Sequence, residues 1–302
     1  MGYLVAAVGF AVAFGLLQRT AQRQNVHYFH ATGVNYVVAT FAASIWIVAQ
    51  GTWAAPPLVY WVGALNGISF AVLIVLQYFM LGQRGVGVTF ALGSIALIAP
   101  ITLSIIVFNE DAGALTLAGI GLLVIAAPLI AYRRTPMLTA PKARLYWVLV
   151  AGLLGFTAGT LISWKVITEI TPADSRGVFV MMTFLGATAA SSVILGIRRV
   201  RDGPSPQQQP LQICTAPWVG PACSMPKPVM IGLAMGLCNI GNLSLFLVAL
   251  TEVPGAVAFP VHSAGTVLLT TLAGWVFWHE GHGRAALIGI TAAVIGLILV
   301  NL

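Results

Sequence analysis

Long apolar runs without a single charge, each near the roughly 20-residue length that crosses a hydrocarbon core about 30 Å thick, constrain this chain more than anything else in it. Lipid offers the backbone no hydrogen-bond partners, so a spanning segment has to satisfy its own N–H and C=O groups. These runs are too long and too evenly apolar for barrel strands, which leaves helices. Composition enters at one point: 59% of the 302 residues are apolar and 7% are charged, against about a quarter charged in a soluble domain, too few to build an aqueous surface.

Reading apolar runs between charges and Pro/Gly breaks predicts helices near 2–17, 28–50, 58–82, 85–108 and 113–132, then 145–164, 177–197, 228–251, 253–278 and 285–301. The expected fold class is therefore all-α integral membrane, with ten transmembrane helices. The weakest separations are Gly51 to Pro57, Gln83 and Arg84, and Glu252 to Gly255, where a tight turn has to reverse the chain. The first apolar run has no Lys or Arg ahead of it and reads as a span rather than a cleaved signal peptide.

With ten spans, alternate loops fall on opposite faces. One face carries Arg19, Arg23, Arg84, Arg133, Arg134, Lys142, Arg144, Arg198, Arg199, Arg201, Lys227 and Arg284, and the other only Lys165 and Arg176. The positive-inside rule makes the first face cytoplasmic and puts both termini outside, in a multi-pass protein of the cell (inner) membrane. The net charge of +7 is then an orientation signal and not a nucleic-acid footprint. Cys214, Cys223 and Cys238 are an odd, loosely spaced set, so neither disulfide nor metal is expected. The Pro/Gln-rich segment 198–228 reads as an irregular cytoplasmic loop between two halves.

Residues 85–127 can be laid over 255–297 without gaps, bringing Gly85 onto Gly255, Glu110 onto Glu280, Gly113 onto Gly283 and Gly119 onto Gly289. An offset of 169 places Gly63 and Gly67 on Gly232 and Gly236, a small-xxx-small pattern that lets helix backbones approach closely. Five helices per half is an odd number, so the two halves, 1–132 and 133–302, are expected to enter the bilayer in opposite orientations as inverted repeats.

The run 85–127, with Glu110 in a short turn before a Gly-containing helix, resembles the end of an EamA-type repeat of the drug/metabolite transporter superfamily. The stretch from Val253 to Leu302, with PVHSAG and the WHEGHGRAALIG turn, resembles the same part of a second repeat. The resemblance implies a secondary transporter of metabolites with a central cavity lined by both halves. Small multidrug members carry a buried carboxylate in their first helix; Met1 to Leu17 has none, which disfavours a dedicated cationic-drug antiporter.

Polar side chains inside a span are costly unless they face protein or water, so each is a candidate for the pathway. Gly232, Gly236, Asn239 and Asn242 fall within one broad face of the eighth helix, and Gly63, Asn66, Gly67 and Gln77 within one face of the third. The amides read as substrate contacts or as interhelical glue. His262, with Gly265 and Thr266 on its side, reads as a proton-coupling group or as a residue bonded to a local partner, the second being the more ordinary. Asn35 and Tyr36 on the second helix, and Trp164 with Lys165 ending the sixth, are weaker candidates, aromatic and Lys residues near span ends being more often interfacial anchors. Glu110, Asp111 and Glu280 could be taken for catalytic carboxylates, but the inverted layout puts the first pair and the last on opposite membrane surfaces, and the repeated Glu reads as a cap of the helix that follows it.

The function expected is a carrier for small polar or amphipathic metabolites, working by efflux or exchange, with the bilayer as its other partner, no cofactor and no nucleic acid. A homodimer is left open. The competing class is an intramembrane enzyme, which needs a paired-Asp, metal or nucleophile constellation at membrane depth, and none is visible. A channel or receptor is the third reading; no GxxxxGK[ST] phosphate loop supports primary pumping.

Overall fold

The computed structural model describes residues 1–23, 28–111, 113–131, 143–202, 227–278 and 284–300. The central part of the 198–228 loop, Cys214, Cys223 and Glu280 lie outside them. The described helices are α1 (Gly2–Arg23), α2 (Tyr28–Gln50), α3 (Pro57–Ile95), α4 (Ile98–Ile106), α5 (Ala114–Ala131), α6 (Ala143–Ile170), α7 (Arg176–Asp202), α8 (Lys227–Glu252), α9 (Gly255–Trp278) and α10 (Arg284–Val300). A 3₁₀ turn, Ala173–Ser175, joins α6 to α7, and no strand occurs among the described residues. Seven of the helices are long and apolar enough to cross a membrane. They turn large apolar side chains outward, among them Val5, Phe41, Trp61 and Trp147. Such a surface suits acyl chains and not water, so the chain is an integral multi-pass membrane protein.

The reversal expected at Gln83 and Arg84 does not interrupt the helical backbone, which runs from Pro57 to Ile95. Gln and Arg are good helix formers and no proline lies between Pro57 and Pro100, so the helical hydrogen bonds continue there although Gly82, Gly85 and Gly87 weaken the helix. Thirty-nine residues at 1.5 Å each would make a rod of about 58 Å, twice the hydrocarbon thickness. Glu110 nevertheless meets the start of α9 and the last turns of α6, at the bundle end where α3 begins. The chain therefore crosses the bundle and returns between Pro57 and Glu110, within one helically bonded stretch and the short α4.

Contacts fix the relative directions of the other helices. Gly63 and Gly67 lie on Phe179 and Thr183, so α3 and α7 run parallel; Gly232 and Gly236 lie on Ala31 and Asn35, so α8 and α2 do too. Gly33 beside Leu195 and Gly177 beside Ile47 make α2 and α7 antiparallel, crossing where the Thr40 and Thr188 hydroxyls are 3.1 Å apart. Gly119 and Gly296 bring α5 and α10 together, also antiparallel. Helix α1 packs on α8 and α9, and α6 on α3 and α4. Met1, the turn at Gly51, Glu110, the α6–α7 junction and the α8–α9 turn thus gather at one end, called here the Met1 end. Gly51 makes its turn possible by adopting a φ of 67°, the left-handed conformation that ends many helices.

Candidate functional site

The four glycines of the third and eighth helices sit where no side chain fits. A Cβ on Gly63 would stand 2.8 Å from that of Met182, and one on Gly67 would overlap the Thr183 carbonyl oxygen. On the other crossing, Cβ atoms on Gly232 and Gly236 would each be 2.7 Å from a backbone oxygen, of Ala31 and Asn35. The close approach brings amides into reach across each seam. Asn66 Nδ2 donates to Thr183 Oγ1 at 3.3 Å, and Asn239 Nδ2 donates to Asn35 Oδ1 at 3.3 Å.

Asn242 departs from the face expected for it. Ten residues beyond Gly232 it has rotated past the α2 seam and meets α9, where its Oδ1 lies 2.8 Å from His262 Nε2. Thr266 donates back to the His262 carbonyl at 2.7 Å, the local bond that lets a hydroxyl sit inside a helix. Tyr36 reaches the Phe70 carbonyl at 3.4 Å, and Gln77 is partly buried near the far end of its span, apart from the others.

A row of rings joins these pairs through the middle of the bundle. Tyr36 packs on Phe70 and Phe184, Phe70 on Trp164, Trp164 on Phe246 at 5.6 Å, and Phe246 on His262 at 4.6 Å between centroids. Three polar atoms along it have no hydrogen-bond partner: Asn35 Nδ2, Asn66 Oδ1 and Trp164 Nε1, on residues 1%, 1% and 7% exposed. Orphaned buried polar atoms are costly, and where they persist they call for an account.

The charged centre lies at the Met1 end and was read differently from sequence. Lys165 is not an interfacial anchor: it is 0% exposed, and its Nζ pairs with both Glu110 and Glu169. Glu110 does not cap α5, the helix that follows it. Its two carboxylate oxygens accept the N–H groups of Gly255 and Ala256 at 2.8 Å each, the first-turn donors of α9 that no helical carbonyl can reach. Asn109 supplies the geometry by taking a φ of 49°, which Asn tolerates better than most residues, so the chain leaving α4 turns Glu110 toward α9. Burial pushes the Glu110 carboxyl up, but hydrogen bonds from Lys165, Ala256 and Gly255, with the lysine charge, outweigh it and hold the carboxyl below its ordinary value. The Phe108 ring lies 5.3 Å from the ammonium, and Gly255 leaves room for the lysine stem, since a Cβ there would be 3.0 Å from Lys165 Cε. The one local signal for this cluster in the sequence is Glu169 at i+4 from Lys165. Its other members are 55 and 90 residues from the lysine and cannot be found by spacing.

The membrane-spanning helices, together with the likeness to a flippase subunit that follows, make the class of protein a membrane transporter. No family model matches the chain. Over 76 residues, 25% of this chain, it is 33% identical to 67% of the probable 4-amino-4-deoxy-L-arabinose-phosphoundecaprenol flippase subunit ArnE of Klebsiella pneumoniae (strain 342). The chain belongs to the drug/metabolite transporter superfamily. A solved structure, described only as a crystal structure of a protein, superposes with a TM-score of 0.71 over 98% of both chains at 14% identity, a likeness of fold alone.

Proposed function

We propose that the chain is a secondary carrier of the EamA type, not an enzyme, moving small polar or amphipathic metabolites by alternating access between two inverted five-helix repeats, residues 1–132 and 133–302. It works in the cell (inner) membrane with both termini outside, so the Met1 end faces outward. The observation that carries this reading is the equivalence of the two glycine crossings. Adding 169 to Gly63 and Gly67 gives Gly232 and Gly236, while subtracting 148 from their partners Phe179 and Thr183 gives Ala31 and Asn35. The same 148-residue step relates Thr40 to Thr188 and Tyr36 to Phe184, each pair meeting across the α2–α7 seam. Two halves that meet in equivalent ways while running in opposite directions give a carrier two alternative closures of similar energy. The subunit from Klebsiella fits a duplication: with 76 residues being 67% of it, it is about 113 residues long.

The region assigned to substrate is the aromatic row with its orphaned amide and indole groups: Asn35, Tyr36, Asn66, Asn239, Asn242, His262 and Thr266, with Gln77 toward the far end. The Lys165 cluster is the outer closure. If α6 leaves, Lys165 keeps Glu169 on its own helix and Glu110 keeps the α9 N-terminus, so neither buried ion is left without compensation. The contact between Lys165 and Glu110 is thus the one able to break in each cycle.

The test uses purified protein in liposomes. A thermal-shift screen against metabolite classes identifies a ligand, and counterflow of that ligand is then measured in a Glu110→Cys/Lys165→Cys double variant. The reading expects counterflow that stops on oxidation and returns with reductant. Counterflow indifferent to the cross-link would contradict the closure, and a screen and flux assay without any transported metabolite would contradict the carrier.

A further inference from the structure

Around the Met1 end the contacts between helices close into a ring. Lys165 pairs with Glu110, Glu110 accepts the first N–H groups of α9, and Phe259, one turn along α9, packs on Phe246 of α8 at 5.3 Å between centroids. Phe246 meets the edge of the Trp164 ring at 5.6 Å, and Trp164 immediately precedes Lys165 on α6, which completes the circuit. Helix α6 therefore cannot leave Glu110 and α9 with the ionic contact alone. A second contact in the ring has to part with it.

The way Phe246 is held decides which contact that is. Toward α9 it packs on two rings, Phe259 and His262, the second at 4.6 Å; the bond between Asn242 and His262 lies one turn away, and a short turn joins α8 to α9. Toward α6 its ring partner is Trp164, which also meets the edge of Phe70 on α3 at 6.3 Å. A second tie holds α6 to α3, where a Cβ on Gly152 would stand 3.3 Å from Leu76. Helices α8 and α9 thus stay together, α6 stays with α3, and the surface that parts runs between Trp164 and Phe246. Both rings are buried. We propose that Trp164 and Phe246 form a second, deeper layer of the outer closure, so that cargo leaves between the indole and the phenyl ring. This rests on the carrier reading and adds to it the aromatic pair that must part together with Lys165 and Glu110. While shut, the pair seals Asn242, one turn deeper on α8, from the Met1 side.

The test needs no identified cargo. Asn242→Cys, in a full-length chain whose Cys214, Cys223 and Cys238 are replaced, is treated with a membrane-impermeant thiol reagent in sealed vesicles of either orientation, with the exposed Asp174→Cys marking the Met1 side. The proposal expects slow labelling of Asn242→Cys from that side, rising about fivefold when Trp164→Leu or Phe246→Leu removes the pair and falling back toward the parent rate with Trp164→Phe. Combining Trp164→Leu with Phe246→Leu labels no faster than either alone, because both remove one contact. Phe259→Leu, buried within the α8–α9 pair that moves as a unit, leaves the rate unchanged. Effects that multiply in the double variant would overturn the pair as a gate, and so would a rise with Phe259→Leu equal to that with Trp164→Leu, the mark of general loosening. Labelling of the parent that ignores Trp164 and Phe246 overturns the gate and leaves the carrier reading standing. An Asn242→Cys unlabelled from the Met1 side in parent and variants alike overturns both.

Discussion

The two polar centres of this bundle are built from opposite materials. At the Met1 end, Lys165, Glu110 and Glu169 are ionic, and two helix N-terminal N–H groups complete their coordination. In the middle, Asn35, Asn239, Asn66, Asn242 and His262 meet neutral partners in pairs, and polar atoms of Asn35, Asn66 and Trp164 remain unbonded. The first centre is saturated and ties three separate parts of the chain together. The second is under-satisfied and adds little to holding the helices. The carrier proposed above would use this division of labour, with strong closure where the bundle shuts and spare hydrogen-bonding capacity where its cargo would sit.

Removing the lysine breaks the comparison most severely. Lys165→Ala leaves the Glu110 and Glu169 carboxylates without their shared counter-ion, and denaturant titration in detergent should find it destabilised by about 3 kcal/mol. Glu110→Gln keeps the shape but loses the charge-assisted bonds from Lys165 and the α9 N-terminus, at a cost of about 2 kcal/mol. The pH dependence has a fixed sign. Because the folded Glu110 carboxyl titrates below its ordinary value, its contribution is fully present above the ordinary carboxylate pKa and is lost as pH falls through the lowered folded value. The parent should therefore lose stability in that acid window by more than Glu110→Gln does, and parallel acid curves would remove Glu110 from the account.

Smaller effects are expected in the middle. Asn242→Ala, which releases His262, should cost about 0.6 kcal/mol, the usual worth of an interhelical polar bond in a membrane protein, while lowering counterflow by a larger factor than Lys165→Arg does. A stability loss matching that of Lys165→Ala would erase the distinction between the centres. Glu169→Gln, on the carboxylate most open to solvent of the cluster, should change stability least, by about 0.5 kcal/mol.

How much of this is legible in the sequence follows from the range of each interaction. The second helix, expected at 28–50, is Tyr28–Gln50, and the fifth, expected at 113–132, is Ala114–Ala131, because charge and Gly/Pro breaks are local signals. The continuous helical bonding across Gln83 and Arg84 was missed because a polar pair reads as a loop, although both residues are compatible with a helix. The face of Asn242 was missed because a 100° stripe is wider than the strip that one neighbour covers. Lys165 was ranked low because a lysine near a span end is ordinarily an anchor. Only the fold brings Glu110 and the first turn of α9 to it.

The central claim is that the halves face opposite ways and the Met1 end forms one side. Single cysteines at residues 20, 111 and 174, in a chain whose Cys214, Cys223 and Cys238 are replaced, can be probed in intact cells with a membrane-impermeant thiol reagent. The account predicts labelling at 111 and 174 from outside and protection at 20; labelling of 20 and 111 from the same side would contradict it.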